Sequence, residues 1–592
     1  MATSPSTTPA PKKRLIVCCD GTWMDSDGNY QTPSNVTRIA RAIPPTGLDN
    51  SVHPPQPITQ VVFYQNGIGT GSKSLYTKYV GGITGEGLAE HIREAYSFIC
   101  LNYNPGDDII LIGFSRGAFT ARSISSLIKA VGLLTANGLA FFNQIFEDWE
   151  YQQNPDFRTK WPDIPFPNHK PPVTDPTYQK ELLKRRLVRP GIKIKCVAVW
   201  DTVGGLGIPL VGLLPQPPSK DFAFVDTRVE SNIEYAFQAL ALDEHRRAYA
   251  PTIWDWPKDK SDLKVLKQTW FPGVHSDIGG SYDDTALANL TLAWMVSQLE
   301  PLLTVDRGYL MELIRPTSGL LNPISNGENG TNNTHRGSIP RVNTHGTTRP
   351  WGLGKIHDSM TPFFRLGGSE TRTPHEYREQ ESAAQHGTVL WIGKKVAHQV
   401  TSIFREADTS LKPRLAKTNE TIHSSVRIRM GRHGYGYDDK GTYASEALQG
   451  WVMYGEETDP DTPIALDAPG LVGKMRDVVW KKAVPREETL DNGKVRVVNS
   501  GADDKTTLEI PEEPLGDFER EILKMWPEIN NIFDTTGPGE HEHNVKRVKT
   551  FPPRGHHKGS GGGSGSGSDS SAGRDGLTLN TSTDAQRRIG TA

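Results

Sequence analysis

The chain carries a series of short, nearly uninterrupted apolar runs, each ending abruptly in a polar or glycine-bearing cluster. Residues 14–20 run into Asp20-Gly21-Thr22-Trp23, and residues 58–65 into the glycine-rich stretch 66–71. Asp108 to Gly113 runs into Phe114-Ser115-Arg116-Gly117, Lys193 to Trp200 into Asp201-Thr202-Val203, and Lys264 to Val274 into His275-Ser276-Asp277. Runs this short, without polar alternation, read as strands buried on both faces. Helical spacing is read between them: 85–102 (through Leu88, Ile92, Ala95, Tyr96 and Ile99), 118–134, 233–242 and 286–303. This predicts the α/β class, with a mainly parallel sheet and helices on both faces. Every polar cluster then lies at the C-terminal edge of the sheet, where such folds bind ligands.

The chain has 592 residues, more than one compact domain usually needs. We expect a flexible N-terminus at 1–13, a catalytic core at 14–310 and a mobile insertion at 311–350 rich in Asn, Gly, Thr and Arg. A folded remainder of unassigned topology follows at 351–537. A disordered tail at 538–592 contains the Gly/Ser tract 559–568. Residues 150–190, rich in Pro, Lys and aromatics, are expected over the upper edge of the sheet. The formal net charge of −2, with both signs intermixed, gives no argument for a nucleic-acid partner. Met1 to Lys13 lacks the apolar run of a signal peptide, and no stretch of ~18 apolar residues appears, which points to a cytoplasmic protein without a membrane span. Triplets such as Asn35-Val36-Thr37 are then chance matches to a glycosylation acceptor. The four cysteines, Cys18, Cys19, Cys100 and Cys196, show no zinc spacing; adjacent Cys18 and Cys19 read as small apolar fillers.

Gly113-Phe114-Ser115-Arg116-Gly117 has the spacing of an elbow that exposes a nucleophilic serine between a strand and a helix. A serine hydroxyl needs a base to take its proton, and the base needs an orienting acid. His275, at a later strand end, is the candidate base, with His245, His357 and His423 as rivals. Asp201 lies between Ser115 and His275 in the chain, which is the order of α/β-hydrolases. Asp277 and Asp20 are the alternative acids. The amide of Arg116, at the start of the following helix, is the first oxyanion donor, and the turn at Gly21 and Thr22 the candidate second. The Arg116 side chain could meet an anionic substrate group, although an ion pair within the fold is the commoner role.

The set Cys19-Asp20-Gly21-Thr22-Trp23, Gly67-Ile68-Gly69-Thr70, Gly113 to Ala118, Trp200-Asp201-Thr202-Val203 and Pro272 to Gly280 resembles the catalytic domain family of type VI secretion phospholipase effectors. The resemblance covers residues 14–300 and implies an α/β-hydrolase fold and a Ser-Asp-His triad, here Ser115, Asp201 and His275. It also implies a lipase or phospholipase-like activity on carboxylic esters. Segments 357–359 and 420–425 resemble weaker family features. No cofactor or metal is expected. The expected partner is a small-molecule or lipid ester; peripheral membrane contact and the oligomeric state stay open. The alternatives are a non-catalytic scaffold that binds a ligand or protein and, ranked last, phosphate chemistry at the Asp20 and 66–71 loops.

Overall fold

In the computed structural model of the protein, the apolar runs lie side by side as strands. The structure describes residues 11–21, 24, 32–67, 85–152, 154, 157–167, 170–203, 228–315, 349–366, 368–379, 412–455, 478–490, 494–497, 505–527 and 529–530. Most of the predicted insertion at 311–350 and all of the predicted tail at 538–592 lie outside the described residues, as does 1–10 of the N-terminus.

Eleven strands form one sheet: β1 (Lys13–Cys19), β2 (Thr46–Asp49), β3 (Gln56–Gln65), β4 (Asp108–Phe114), β5 (Ile194–Trp200), β6 (Ile233–Ala241), β7 (Val265–Phe271), β8 (Glu420–His423), β9 (Val452–Tyr454), β10 (Val479–Pro485) and β11 (Lys505–Glu513). Their order is β9-β10-β11-β8-β7-β6-β5-β4-β1-β3-β2. From β3 to β11 every pairing in that row is parallel; β2, and β10 with β9, join the two margins by antiparallel pairing.

The central strands are buried on both faces, which is why their sequences show no polar alternation. The strand period of two still sorts their side chains. Ile16, Cys18, Ile110, Ile112, Cys196 and Ala198 enter one core cluster, while Leu15, Val17, Ile109, Leu111, Val197 and Val199 enter the other. The helices around them are α1 (Asn35–Ala42), α2 (Gly85–Asn102), α3 (Arg116–Val131), α4 (His275–Gly279) and α5 (Ala286–Leu299). α2 and α3 cover the second face; α1 and α5 cover the first. Asn35 is fully buried, its Nδ2 donating to Ile278 O, Ala288 O and Thr291 Oγ1, so that triplet belongs to the core.

From β1 the chain crosses first to β3 on one side and then to β4 on the other. In open α/β sheets such a reversal marks the edge where ligands bind, here the C-terminal ends of β1 and β4. Register aligns the strand ends: Cys19 pairs with Gly113, Phe114 with Trp200, and Trp200 with Ala239.

Two expectations are corrected. Residues 233–242 are not a helix: Ile233–Ala241 is strand β6, hydrogen-bonded to β5 on one side and β7 on the other. Its Ala, Leu, Glu and Gln content favours helix, but two flanking ladders and burial override a propensity of a few tenths of a kcal/mol per residue. Residues 176–189, within the segment expected over the upper edge, pack at the opposite end. Arg189 there donates to the carbonyls of Cys100 and Tyr103 at the C-terminal end of α2, and Tyr178 and Leu182 join the α2/α3 core. The region after 351 supplies β8 to β11, which extend the same sheet.

Candidate active site

The elbow is built as its glycines require. A Cβ on Gly113 would lie 2.5 Å from Gly117 O, and one on Gly117 only 2.0 Å from Cys19 O, so neither position has room for a side chain. Between them Ser115 holds φ 58° and ψ −120°, a conformation that non-glycine residues rarely adopt, and its amide donates to Trp200 O. The result is a serine at the tip of β4 with its hydroxyl turned toward His275.

His275 opens α4, just past the end of β7. Its Nε2 lies 2.8 Å from Ser115 Oγ, and its Nδ1 lies 2.6 Å from Asp201 Oδ2. An ionised carboxylate only accepts, so Nδ1–H donates to Asp201, which leaves Nε2 to accept the Ser115 hydroxyl proton. The imidazole packs against Phe114 on one side and edge-on to Tyr249 on the other, with ring centroids 4.7 and 4.9 Å away. Its backbone amide donates to Glu244 Oε2 at 3.2 Å. Burial lowers the His275 pKa and outweighs the opposing pull of Asp201, so the ring is neutral at pH 7.

Asp201, fully buried with φ 42°, receives four donors: His275 Nδ1, Ala241 N at 3.0 Å, and Arg372 through Nη1 at 2.5 Å and Nη2 at 2.9 Å. Burial alone would raise its pKa. The Arg372 charge and the hydrogen bonds from His275 and Arg372 reverse that and hold it well below the usual carboxylate range.

The other candidates sit elsewhere. Asp277 Oδ1 pairs with His357 Nδ1 at 2.6 Å, and its Oδ2 accepts from the amides of Val274 and His357. Asp20 accepts from Ser34, Thr37 and Tyr64 at 2.6–2.8 Å and ties β1 to β3 and α1. His423 is wholly buried between Ser425 and Glu519, and His245 stands beside Tyr437. Gly21 lies against Phe114 and Ser115, where a Cβ would come within 2.8 and 3.5 Å of them. Its amide, however, donates to Asp20 Oδ1 at 2.6 Å. Thr22 lies outside the described residues. Arg116 accepts from Thr120 Oγ1 at its carbonyl, but its side chain shows no ion pair among the described residues; burial brings its pKa down to about 10.

Residues 13–298 match the family described as T6SS, phospholipase effector Tle1-like, catalytic domain. That stretch, 286 of the 592 residues, is similar to the Tle1-like catalytic domain. An uncharacterized protein of Saccharomyces cerevisiae, YEL023C, is 26% identical over 258 residues, which are 41% of this chain and 33% of that protein. The alignment thus spans about a third of the yeast relative. A crystal structure of an uncharacterized protein from Pseudomonas aeruginosa shares 15% identity over 50% of this chain and 47% of its own, with a TM-score of 0.26.

Sequence reasoning missed four residues around this site. Glu244 pairs with Arg246 at 2.8 Å, and Tyr249 packs edge-on against His275. All three follow β6. Read as a strand, Ile233–Ala241 would have announced Asp243-Glu244-His245-Arg246 as another polar cluster at a strand end. Arg372 has no such local signal. Among the described residues, no group of three or more His, Cys, Asp or Glu could hold a metal ion, and no helix is long and apolar enough to cross a membrane.

Proposed function

We propose that the Tle1-like domain hydrolyses carboxylic esters of lipids, with Ser115 as nucleophile, His275 as general base and then acid, and Asp201 as the orienting acid. Ser115 Oγ attacks the ester carbonyl while His275 Nε2 takes its proton. The Asp201 carboxylate holds the ring in the tautomer that leaves Nε2 free and stabilises the imidazolium that forms. His275 then returns the proton to the departing alcohol, and water releases the acyl group by the same steps in reverse order of roles. The amide of Arg116, at the N-terminus of α3, is the donor nearest the developing oxyanion. A second donor from the Gly21 turn requires that turn to release the Gly21 amide from Asp20.

The observation that carries this reading is the continuous chain from Ser115 Oγ to His275 (2.8 Å) to Asp201 (2.6 Å), hung on a strained elbow. The lipid class of the ester comes from the family's phospholipase effectors. Labelling with a fluorophosphonate followed by peptide mapping tests it. The full chain should label at Ser115, and Ser115→Ala should fold, lose the label and lose ester hydrolysis. A folded Ser115→Ala variant with full activity would remove the assignment.

A further inference from the structure

The acid of the proposed site does not stand alone in the interior. Arg372, itself buried, lays both terminal nitrogens along the carboxylate edge of Asp201, Nη1 to Oδ1 and Nη2 to Oδ2. The same two nitrogens donate to Ala241 O at 2.7 Å and Tyr249 O at 2.8 Å. One planar fork therefore fixes the carboxylate, the end of β6 and the backbone of the residue whose ring packs edge-on against His275. Only a guanidinium can do this: a lysine offers a single point of donation.

Arg372 lies outside residues 13–298, and it is not the only outsider there. Each buried acid that follows β5, β6 or β7 takes a partner from beyond residue 350. Asp243 accepts from Tyr443, Glu244 from Ser359, and Asp277 from His357. Only the Asp201 partner carries a full, permanent charge directly behind the catalytic imidazole.

We infer that Arg372 is a positioning residue of the hydrolase: it aims Asp201 at His275 and cancels the charge that would otherwise make the imidazole hold its proton. This rests on the proposed function and adds a residue to it. The groups that face His275 are Asp201 from the end of β5, Glu244 and the Arg246 paired with it after β6, Tyr249, Ser115 from the elbow, and Arg372 behind Asp201. The two carboxylates each have an arginine, so a neutral His275 sits among paired charges. Without Arg372 the anion at Asp201 stands uncompensated in a poorly screened interior, and the Asp201–His275 pair retains a proton to higher pH.

The test follows the rate of Ser115 labelling by a fluorophosphonate in the full chain from about pH 4.5 to 9, with thermal melts of each variant alongside. In Arg372→Gln the midpoint of the acid limb should rise by about one pH unit or more, the size expected for removing a nearby unit charge from the interior. In Arg372→Lys the charge stays, so the midpoint should hold while the plateau rate falls about tenfold through the lost fork. The midpoint does not depend on how much protein is folded when that fraction is constant with pH, so the melts are run at each pH and only points where the variant is fully folded are fitted. A labelled wild type with an unmoved limb in Arg372→Gln overturns the inference and leaves the hydrolase reading intact. If Arg372→Gln gives no cooperative melt, Arg372→Lys decides: a wild-type plateau rate overturns the inference, and a reduced plateau with the limb in place supports it. A folded wild type that never labels at Ser115 removes both.

Discussion

Replacing Asp201 with Asn changes one atom and sets four donors against one acceptor. In the native site Oδ1 receives Arg372 Nη1 and Ala241 N, while Oδ2 receives Arg372 Nη2 and His275 Nδ1. An asparagine can keep only one of those pairs. If its oxygen stays on the Oδ1 side, its amide hydrogens face His275, which must then accept at Nδ1 and carry its proton on Nε2. That tautomer points a proton at Ser115 and cannot act as base. If the amide flips, the His275 bond survives but the NH2 group faces Arg372 Nη1 and the Ala241 amide. The first arrangement costs about 10^4 in turnover, equivalent to about 5.5 kcal/mol of barrier. Either one leaves a buried guanidinium short of its counter-charge, worth about 3 kcal/mol of stability and a Tm lower by several degrees. Asp277→Asn is the control. Its carboxylate serves His357 and two backbone amides, so it should lose less than about tenfold in turnover. Initial rates on a short-chain ester, with melts to normalise for folded protein, give both numbers. A severe Asp277→Asn beside a mild Asp201→Asn, both folded, would refute the assignment of the acid.

Three further outcomes follow from the same geometry. Loss of the Ser115 hydroxyl in Ser115→Ala should abolish fluorophosphonate labelling with little change in Tm, because Ala keeps a Cβ on the same elbow. Because burial lowers the His275 pKa from its ordinary 6.5, the base stays neutral until the pH falls through the lowered value, so the acid limb of kcat/KM should lie below about pH 6.5; a midpoint at 7 or above would show that Asp201, not burial, dominates the imidazole. Gly117→Ala would push a methyl to 2.0 Å from Cys19 O and 2.5 Å from Asp20 O, both backbone atoms, and should cost about 3 kcal/mol or prevent folding; a variant that melts like wild type would show that the elbow has slack.

What was legible in the sequence was what neighbours along the chain can specify. An apolar run that stops at Asp20, at Ser115, at Asp201 or just before His275 states both a buried strand and the position of its end. A parallel sheet then carries all four ends to one edge. Ile233–Ala241 misled because its residues favour helix in isolation, while the decision was made by β5 and β7 pairing on either side. The same misreading hid Glu244 and Arg246, since a polar cluster after a helix carries no implication about an edge. Arg372 was beyond reach for a different reason: 171 residues separate it from Asp201, and nothing around it marks one arginine as the one that will be buried.

That separation has a consequence for the limits of the functional unit. A chain cut to residues 13–298 keeps Ser115, Asp201 and His275, and on local grounds should be a complete catalytic domain. The contacts argue otherwise. The cut removes β8, so β7 presents an unpaired, largely apolar edge to solvent, which invites pairing with another copy. It also removes Arg372 from Asp201, Tyr443 from Asp243, Ser359 from Glu244 and His357 from Asp277, four partners of acids that the native fold buries almost completely. Each such loss leaves a carboxylate that must be solvated by local opening or protonated, at about 1–3 kcal/mol apiece and more for Asp201. Sums of that size rival the whole stability of an ordinary domain. The fragment should therefore aggregate or melt without cooperativity, and should not label at Ser115, whereas a chain ending at 530 should melt cooperatively and label at Ser115 as the full protein does. A soluble 13–298 fragment with a cooperative melt and the full chain's labelling rate would refute this, and would show that the acids find substitutes for their distant partners.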